Sequence, residues 1–215
     1  MLHPSTELRT INPTIGAGVF ASAPIPRGTI VWIRDPLDHV FSPEEFDALE
    51  GPIREHALKY SFVDGQGSSI LCWDLAKYVN HSCEANLLST PFEFEIAVRD
   101  IAAGEQITDD YGSFNIEAPL ECHCGSARCR GVIRADDAER LVPEWDAQVR
   151  AAFPAVIEVA QPLWDFVQDP ARVEAAACDP ARLASVAVNY VGAEAGVHAA
   201  RTQRPRGSSA PGSRR

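Results

Sequence analysis

Cys122, Cys124 and Cys129 place three thiols within eight residues in the pattern C-x-C-x4-C, and no other stretch constrains the fold of this chain as strongly. Interrupted by Gly125 and Ser126, the three can wrap one ion without long-range help. They leave a tetrahedral zinc one ligand short, and structural zinc sites usually close on four protein ligands. The fold must then deliver the fourth. His123 lies between two of the cysteines, where its side chain tends to project away from the ion; Cys72 lies in an apolar segment and Cys178 in a helical stretch. Cys83, in the polar run "YVNHSCEANL" and 39 residues before Cys122, is the best remaining choice. From spacing alone, three unrelated thiols or a disulfide stay open as the competing reading. A shared zinc would tie the cysteine-rich knob to the body and make metal binding part of the folding free energy.

The rest of the chain reads as a β-rich body followed by helices. "GAGVFASAPIPRGTIVWI" predicts a short strand through Val19, Phe20 and Ala21, a turn from Pro24 to Gly28 and a strand from Ile30 to Ile33. "SPEEFDALEG" predicts a short helix with Ser42 at the N-cap, Pro43 at the first helical position and Gly51 closing it. Tyr60 to Val63 and Ser69 to Trp73 flank "DGQG" as two strands joined by a tight loop. Phe92 to Val98 alternates as F-E-F-E-I-A-V, the period of a half-buried strand, and "QITDDY" is one more short strand. After the cysteines, "AERLVPEWDAQVRAAF", "AVIEVAQPLWDFV" and "ARLASVAVNYV" predict two to four short helices. The fold class is therefore mainly β with a C-terminal α-helical appendage, α+β overall. The expected division is a body over 1–120, a knob over 121–133, an appendage over 134–198 and a disordered basic tail over 199–215.

Charge narrows the partners. The formal net charge of -11 hides an asymmetry, because five arginines follow His198 and residues 1–198 stand at -16. A body this acidic repels a phosphate backbone and attracts basic peptides, so direct nucleic-acid binding by the folded part is not expected. No basic start with an apolar run and a small-residue cleavage site is present, and no window approaches the ~20 apolar residues that span a bilayer. The expectation is an intracellular protein, cytoplasmic or nuclear, with no membrane contact. In a reducing compartment, cysteines serve more often as metal ligands, redox groups or buried hydrophobes than as disulfides.

The order of motifs carries a resemblance. "GAGVFA", then "YVNHSCEAN", then "GEQITDDYG", then "CHCGSARCRG" resembles the SET-domain family of S-adenosylmethionine-dependent protein-lysine methyltransferases, including its cysteine-rich post-SET segment, over roughly residues 7–133. "GAG" alone would be weak; "NHSC" followed by Asn, "DYG" about 25 residues later and the cysteine trio form a specific combination. The resemblance implies a β-clip fold of small curved sheets, with the "DYG" segment passing under a loop as a pseudoknot. It implies that Gly16, Gly18, Val19 and Phe20 lie along S-adenosylmethionine, the glycines because a missing Cβ permits close approach and positive φ. Asn80 and His81 would contact the cofactor, Tyr111 would sit beside the transferring methyl, and Tyr60 would orient the substrate amine. Cys83 would join Cys122, Cys124 and Cys129 around one structural zinc.

Methyl transfer from a sulfonium to an amine is an in-line displacement, so the protein must align nitrogen, carbon and sulfur and exclude water. A sulfonium beside an ammonium in an apolar channel lowers the amine's pKa by like charge and desolvation, so release of the proton to solvent can suffice. Three positions depart from the family pattern. Ala85 replaces a usual Pro and Lys77 a usual Arg, with little consequence. Asp109 stands where most members carry Phe or Tyr along the lysine channel, and an acid there attracts an ammonium or widens the channel. The expected function is protein-lysine N-methylation of a basic segment such as a histone tail. The alternatives are a catalytically degenerate SET-fold interaction module, which Asp109 favours, and a methyltransferase of a non-histone protein.

Overall fold

The computed structural model describes residues 1–191, so the basic tail lies outside the described residues. In chain order the elements are β1 (Thr6–Asn12), β2 (Gly16–Ala21), β3 (Ile30–Ile33), β4 (His39–Phe41), α1 (Pro43–Asp47), α2 (Gly51–Tyr60), β5 (Ser61–Val63) and β6 (Ser69–Leu71). Then come β7 (Asn80–His81), β8 (Leu87–Ser89), β9 (Phe94–Ala97), β10 (Thr108–Asp109), β11 (Leu120–Glu121), β12 (Val132–Ile133), α3 (Asp137–Ala152) and α4 (Pro170–Cys178). The strands make five small sheets: β1-β2, β3-β9-β8, β4-β6-β5, β10-β7 and β11-β12. Among the described residues no helix is long and apolar enough to cross a membrane.

Local chemistry sets the boundaries. Asn12 Oδ1 accepts from the Thr14 and Ile15 amides at 2.9 and 2.8 Å, and Gly16 at φ +85° completes the turn of the first hairpin. Ser42 and Glu45 form a reciprocal capping box at the start of α1. Gly51 does not close that helix: at φ +56° it opens α2, followed by Pro52 in the first turn. Tyr60, expected on a strand, is the last residue of α2, and β5 begins after it.

Two expectations about burial change. β9 is buried along both faces instead of one, so its period of two does not mark a wet side. Phe94 and Ile96 pack among the C-terminal helical residues, Ala97 belongs to a second apolar cluster, and Glu95 is only 8% exposed. The expected appendage supplies most of a shared core: Trp145, Val149, Phe153, Val156, Val173 and Val186 pack with Ile30, Ile33, Leu88, Phe94 and Ile96. The carboxamide of Gln161 seals the junction, accepting from the Ile30 amide at 2.8 Å and donating to the Gly28 carbonyl at 2.9 Å.

Gly28 tests that junction. Its φ is +88°, and a Cβ there would lie 2.6 Å from the Cβ of Ala155. Left-handed backbone costs a non-glycine about 1–2 kcal/mol and overpacking about 1–3 kcal/mol. Gly28→Ala is therefore expected to lower the unfolding free energy by about 2–4 kcal/mol. Gly67→Ala, at φ +83° with nothing within 4 Å of its Cβ, isolates the backbone part. Denaturant midpoints at unchanged m-value measure both, and equal losses would remove the packing contribution at Gly28.

Candidate functional site

Two short segments meet at the centre of the molecule. β10 runs parallel to β7 with Thr108 opposite Asn80 and Asp109 opposite His81. The Ser82 amide donates to the Asp109 carbonyl at 2.9 Å, and the Ile107 amide to the Val19 carbonyl at 2.8 Å. Asn86, 1% exposed, clamps the crossing: Oδ1 accepts from the Thr108 amide and Nδ2 donates to the Gln106 carbonyl, both at 2.9 Å. A ladder of two residue pairs is too short to hold itself, and these side-chain bonds complete it.

The crossing orders the residues around Tyr111. Its amide donates to His81 Nδ1 at 3.1 Å, and its hydroxyl donates to the Val79 carbonyl at 2.8 Å. Burial, then the Asp109 carboxyl, push the Tyr111 hydroxyl up to about 12, so it remains a phenol at neutral pH. Because Nδ1 of His81 accepts, the neutral ring carries its proton on Nε2, which lies 3.3 Å from Cys83 Sγ. Burial holds His81 below its ordinary range and keeps it in this neutral form.

The two glycines expected beside the cofactor differ in their reasons. Gly16 is glycine for its positive φ and has open space around it, whereas a Cβ on Gly18 would meet Asn80 Nδ2, Gln106 Nε2 and Ile11 Cδ1, each at 2.7 Å. Close approach at Gly18 is thus to Asn80 itself, whose Nδ2 donates to the Ala17 carbonyl at 3.0 Å. Val19 is fully buried with its side chain in the core, so only its backbone can face a ligand. Phe20 is half-buried beneath the Arg9 guanidinium at 5.1 Å.

The sulfurs of Cys83, Cys122 and Cys124 converge with His81, their donor atoms all within 4.8 Å of one another, and Cys129 adjoins this group through Cys122. Cys83 Sγ is 3.7 Å from Cys122 Sγ, and Cys129 Sγ is 3.6 Å from Cys122 Sγ. Zinc–sulfur bonds of about 2.3 Å in a tetrahedron put the sulfurs about 3.8 Å apart, so these separations suit one ion. Burial raises the Cys124 thiol and hydrogen bonds from the Cys83 and Ser126 backbone lower it, leaving it down at about 6 and ready to ligate. His81 Nε2 also falls within 4.8 Å of the sulfurs of Cys83, Cys122 and Cys124. Its proton points at sulfur, however, and a ligating Nε2 would force an Nδ1 proton against the Tyr111 amide. His81 is therefore suited to orient Cys83, and the donor set that fits zinc is the four thiols.

Sequence reasoning missed Arg130. Its Nη1 and Nη2 donate to both oxygens of Asp110 at 2.7 and 2.6 Å, its Nε lies 3.2 Å from Asp137 Oδ2, and its amide donates to Cys83 Sγ at 3.3 Å. The Nε contact lacks the alignment of a hydrogen bond and acts through charge. One side chain thereby joins the cysteine segment, the residue before Tyr111 and the start of α3. Only its position after Cys129 marks it in the sequence.

On the other side of Tyr111 opens a cavity of about 900 Å³. Tyr60 and Tyr111 both line it, with Trp32, Phe62 and Phe114 forming a connected aromatic wall at centroid separations of 5.4 to 5.7 Å. Tyr60 packs edge-on against Tyr78 at 5.3 Å. Arg54, Lys59 and Lys77 also line the cavity, so its walls are mixed in charge despite the acidic body. Asp109 is 1% exposed and faces the carboxyl of Glu95; both acids line the cavity, and Glu95 was hidden inside the alternating pattern of its strand.

Residues 16–112 match the SET domain family. The histone-lysine N-methyltransferase ATX2 of Arabidopsis thaliana is 32% identical over 143 residues, covering 58% of this chain and 12% of that protein. The histone-lysine N-methyltransferase TRX1 of Oryza sativa subsp. japonica is 29% identical over 140 residues, covering 58% and 13%. Histone-lysine N-methyltransferase 2B of Homo sapiens is 42% identical over 65 residues, 26% of this chain and 2% of that protein. The chain spans about one eighth of the length of the two plant relatives. The matched segment begins at Gly16, ends at Gly112 and contains both halves of the crossing around Tyr111, so the match to the SET domain family covers residues 16–112 of this chain.

Proposed function

We propose that the chain is an S-adenosylmethionine-dependent protein-lysine N-methyltransferase that acts on a basic protein segment, such as a histone tail, and holds one structural zinc on Cys83, Cys122, Cys124 and Cys129. The observation that carries the reading is Tyr111 standing between the Asn80–His81 strand and an aromatic-walled cavity, within the matched SET segment. S-adenosylmethionine, when bound, supplies the electrophilic methyl carbon. Gly16, Gly18 and the backbone of Val19, with Phe20, Asn80 and His81, form its side of the site; Tyr60 and Tyr111 orient the amine from the other. The aromatic wall excludes water and favours a cation. The acidic body draws the basic segment toward the site.

Tyr111→Phe keeps the ring and its packing against Phe114 but removes the hydroxyl anchored on Val79. Transfer of a radiolabelled methyl group to protein is expected to fall about a hundredfold or more; retained activity would remove Tyr111 from its role. The second reading, a degenerate interaction module, rests on the buried acid Asp109 at the channel position. Calorimetric titration with S-adenosylmethionine separates the two, because a degenerate domain does not bind it.

A further inference from the structure

Two buried acids, Asp109 and Glu95, line the cavity beyond Tyr111, which Arg54, Lys59 and Lys77 line as well. Asp109 lies on β10 and Glu95 on β9, and their side chains come within hydrogen-bonding reach of each other. Asp109 Oδ1 accepts from the Asp110 amide at 2.7 Å, and Glu95 Oε1 accepts from the Ser89 hydroxyl at 3.0 Å. Asp109 Oδ2 is buried without a donor, and so is the indole Nε1 of Trp32, whose residue pairs with Glu95 across β3 and β9. Both Asp109 and Trp32 are more than nine-tenths buried and line the same cavity. Arg130, the guanidinium closest to this region in the chain of contacts, is committed to Asp110 and Asp137.

Two carboxyls facing each other in a dry site hold one proton between them, as like charges that close cannot both ionise. The pair then carries one negative charge beside the aromatic wall of Trp32, Phe62, Phe114 and Tyr111, in a cavity that Arg54, Lys59 and Lys77 also line. Such a floor suits a small cation that brings its own N–H donors. We propose that Asp109 and Glu95 form a subsite for the ammonium head of the target lysine and accept its proton, an inference that rests on the methyltransferase reading and deepens it. The balance is simple. One N–H bond breaks with its electron pair left on nitrogen, one O–H bond forms on the carboxylate, and cation plus anion become a neutral amine beside two carboxylic acids. The additional proton leaves the pair for water when the methylated ammonium departs.

Burial raises both carboxyls above their ordinary range, and Glu95 raises Asp109 further, which makes the pair a stronger base than an exposed carboxylate. The other ionisable groups facing it are the N-terminal ammonium, which favours the charged form of Glu95, Asp110, which is paired with Arg130, and the hydroxyl of Tyr111, which stays protonated; Cys72 feels Glu95, Tyr190 feels Asp109, and both remain neutral. The dedicated base that the family's chemistry does not demand is thus available in this chain.

The test uses n-butylammonium as a lysine side-chain probe on the full-length protein, read by calorimetry and by thermal shift, with n-butanol and butyltrimethylammonium as comparisons. Saturable butylammonium binding is expected, at least tenfold tighter than that of either comparison, since one lacks the charge and the other the N–H donors. Asp109→Asn and Glu95→Gln keep Oδ1 and Oε1 as acceptors for Asp110 and Ser89, and each should weaken butylammonium at least tenfold. Glu95→Gln carries the test if Asp109→Asn does not fold. Repeating the titration in buffers of different ionisation enthalpy counts protons: none released on binding is expected, and one released per probe overturns proton acceptance. Equal binding of all three probes, or unchanged binding in both variants, overturns the subsite. The probe needs neither cofactor nor turnover, so a failure here leaves the methyltransferase reading to the separate transfer and cofactor-binding measurements.

Discussion

Arg130→Met is expected to lower the unfolding free energy by about 3–5 kcal/mol, the cost of leaving buried charge without its partner. The side chains of Asp110 and Asp137 are 3% and 0% exposed, and that of Arg130 is 17% exposed. Removing the guanidinium leaves Asp110 with the Gly112 amide at 3.0 Å and Asp137 with Arg140 and the Arg134 amide. At about 2–4 °C per kcal/mol for a chain of this size, the midpoint of thermal unfolding should fall by roughly 10 °C. Arg130→Lys should recover only part of the loss, because one ammonium cannot match two carboxylate oxygens in a fork. Adding Asp110→Asn to Arg130→Met should restore more than the lysine does, by removing the stranded charge. A loss below about 1 kcal/mol in Arg130→Met would mean that water reaches this network and that it does not hold the three segments together.

The second large effect concerns the thiols. Metal analysis is expected to find one zinc per chain, lost on strong chelation or in Cys122→Ser, and retained in Cys178→Ser, whose thiol is exposed. Cys122 is the discriminating choice because its sulfur neighbours both Cys83 and Cys129. Besides the thiols, the fork of Arg130 on Asp110 anchors the end of residues 120–133, whereas before it β11 and β12 pair over two residues each and Arg128 reaches Glu144 at 2.7 and 2.9 Å from an exposed position. Structural zinc contributes on the order of 10 kcal/mol to folding in small zinc domains, so its removal should release this segment. Limited proteolysis should then cut within 120–133 while the apolar core, which lies elsewhere, stays protected. A well-folded protein that carries no zinc yet protects 120–133 from cleavage would remove the four-thiol site.

What could be read from the chain follows the range of the forces involved. Ser42 and Glu45 announce a capping box because their reciprocal bonds span three residues. Gly51 misleads in the same stretch: a positive φ closes a helix or precedes one with equal ease, and only the following Pro52 distinguishes them. Spacing left Cys83 as one option for a partner to Cys122, and the resemblance carried by the motif order is what implied it. Glu95 was not reachable. In F-E-F-E-I-A-V it has the same local pattern as a solvent-facing residue, and its burial is set by the cavity face of β9, opposite the face on which Phe94 and Ile96 meet residues 145–186. Asp109 stood out as a departure from a motif, but its meaning changes once a second carboxyl faces it.

By itself, then, the sequence determined the order of motifs and the trio Cys122, Cys124 and Cys129, which depend on covalent spacing, and the resemblance those motifs carry implied Cys83 as the fourth thiol and Tyr111 as the tyrosine at the crossing. Tertiary structure alone decided that the C-terminal helices share the core, that His81 presents a proton to Cys83, that Arg130 joins three segments, and that Asp109 and Glu95 meet in one dry site. Each of those depends on burial, because a charge or a proton takes its value from the solvent that distant parts of the chain exclude.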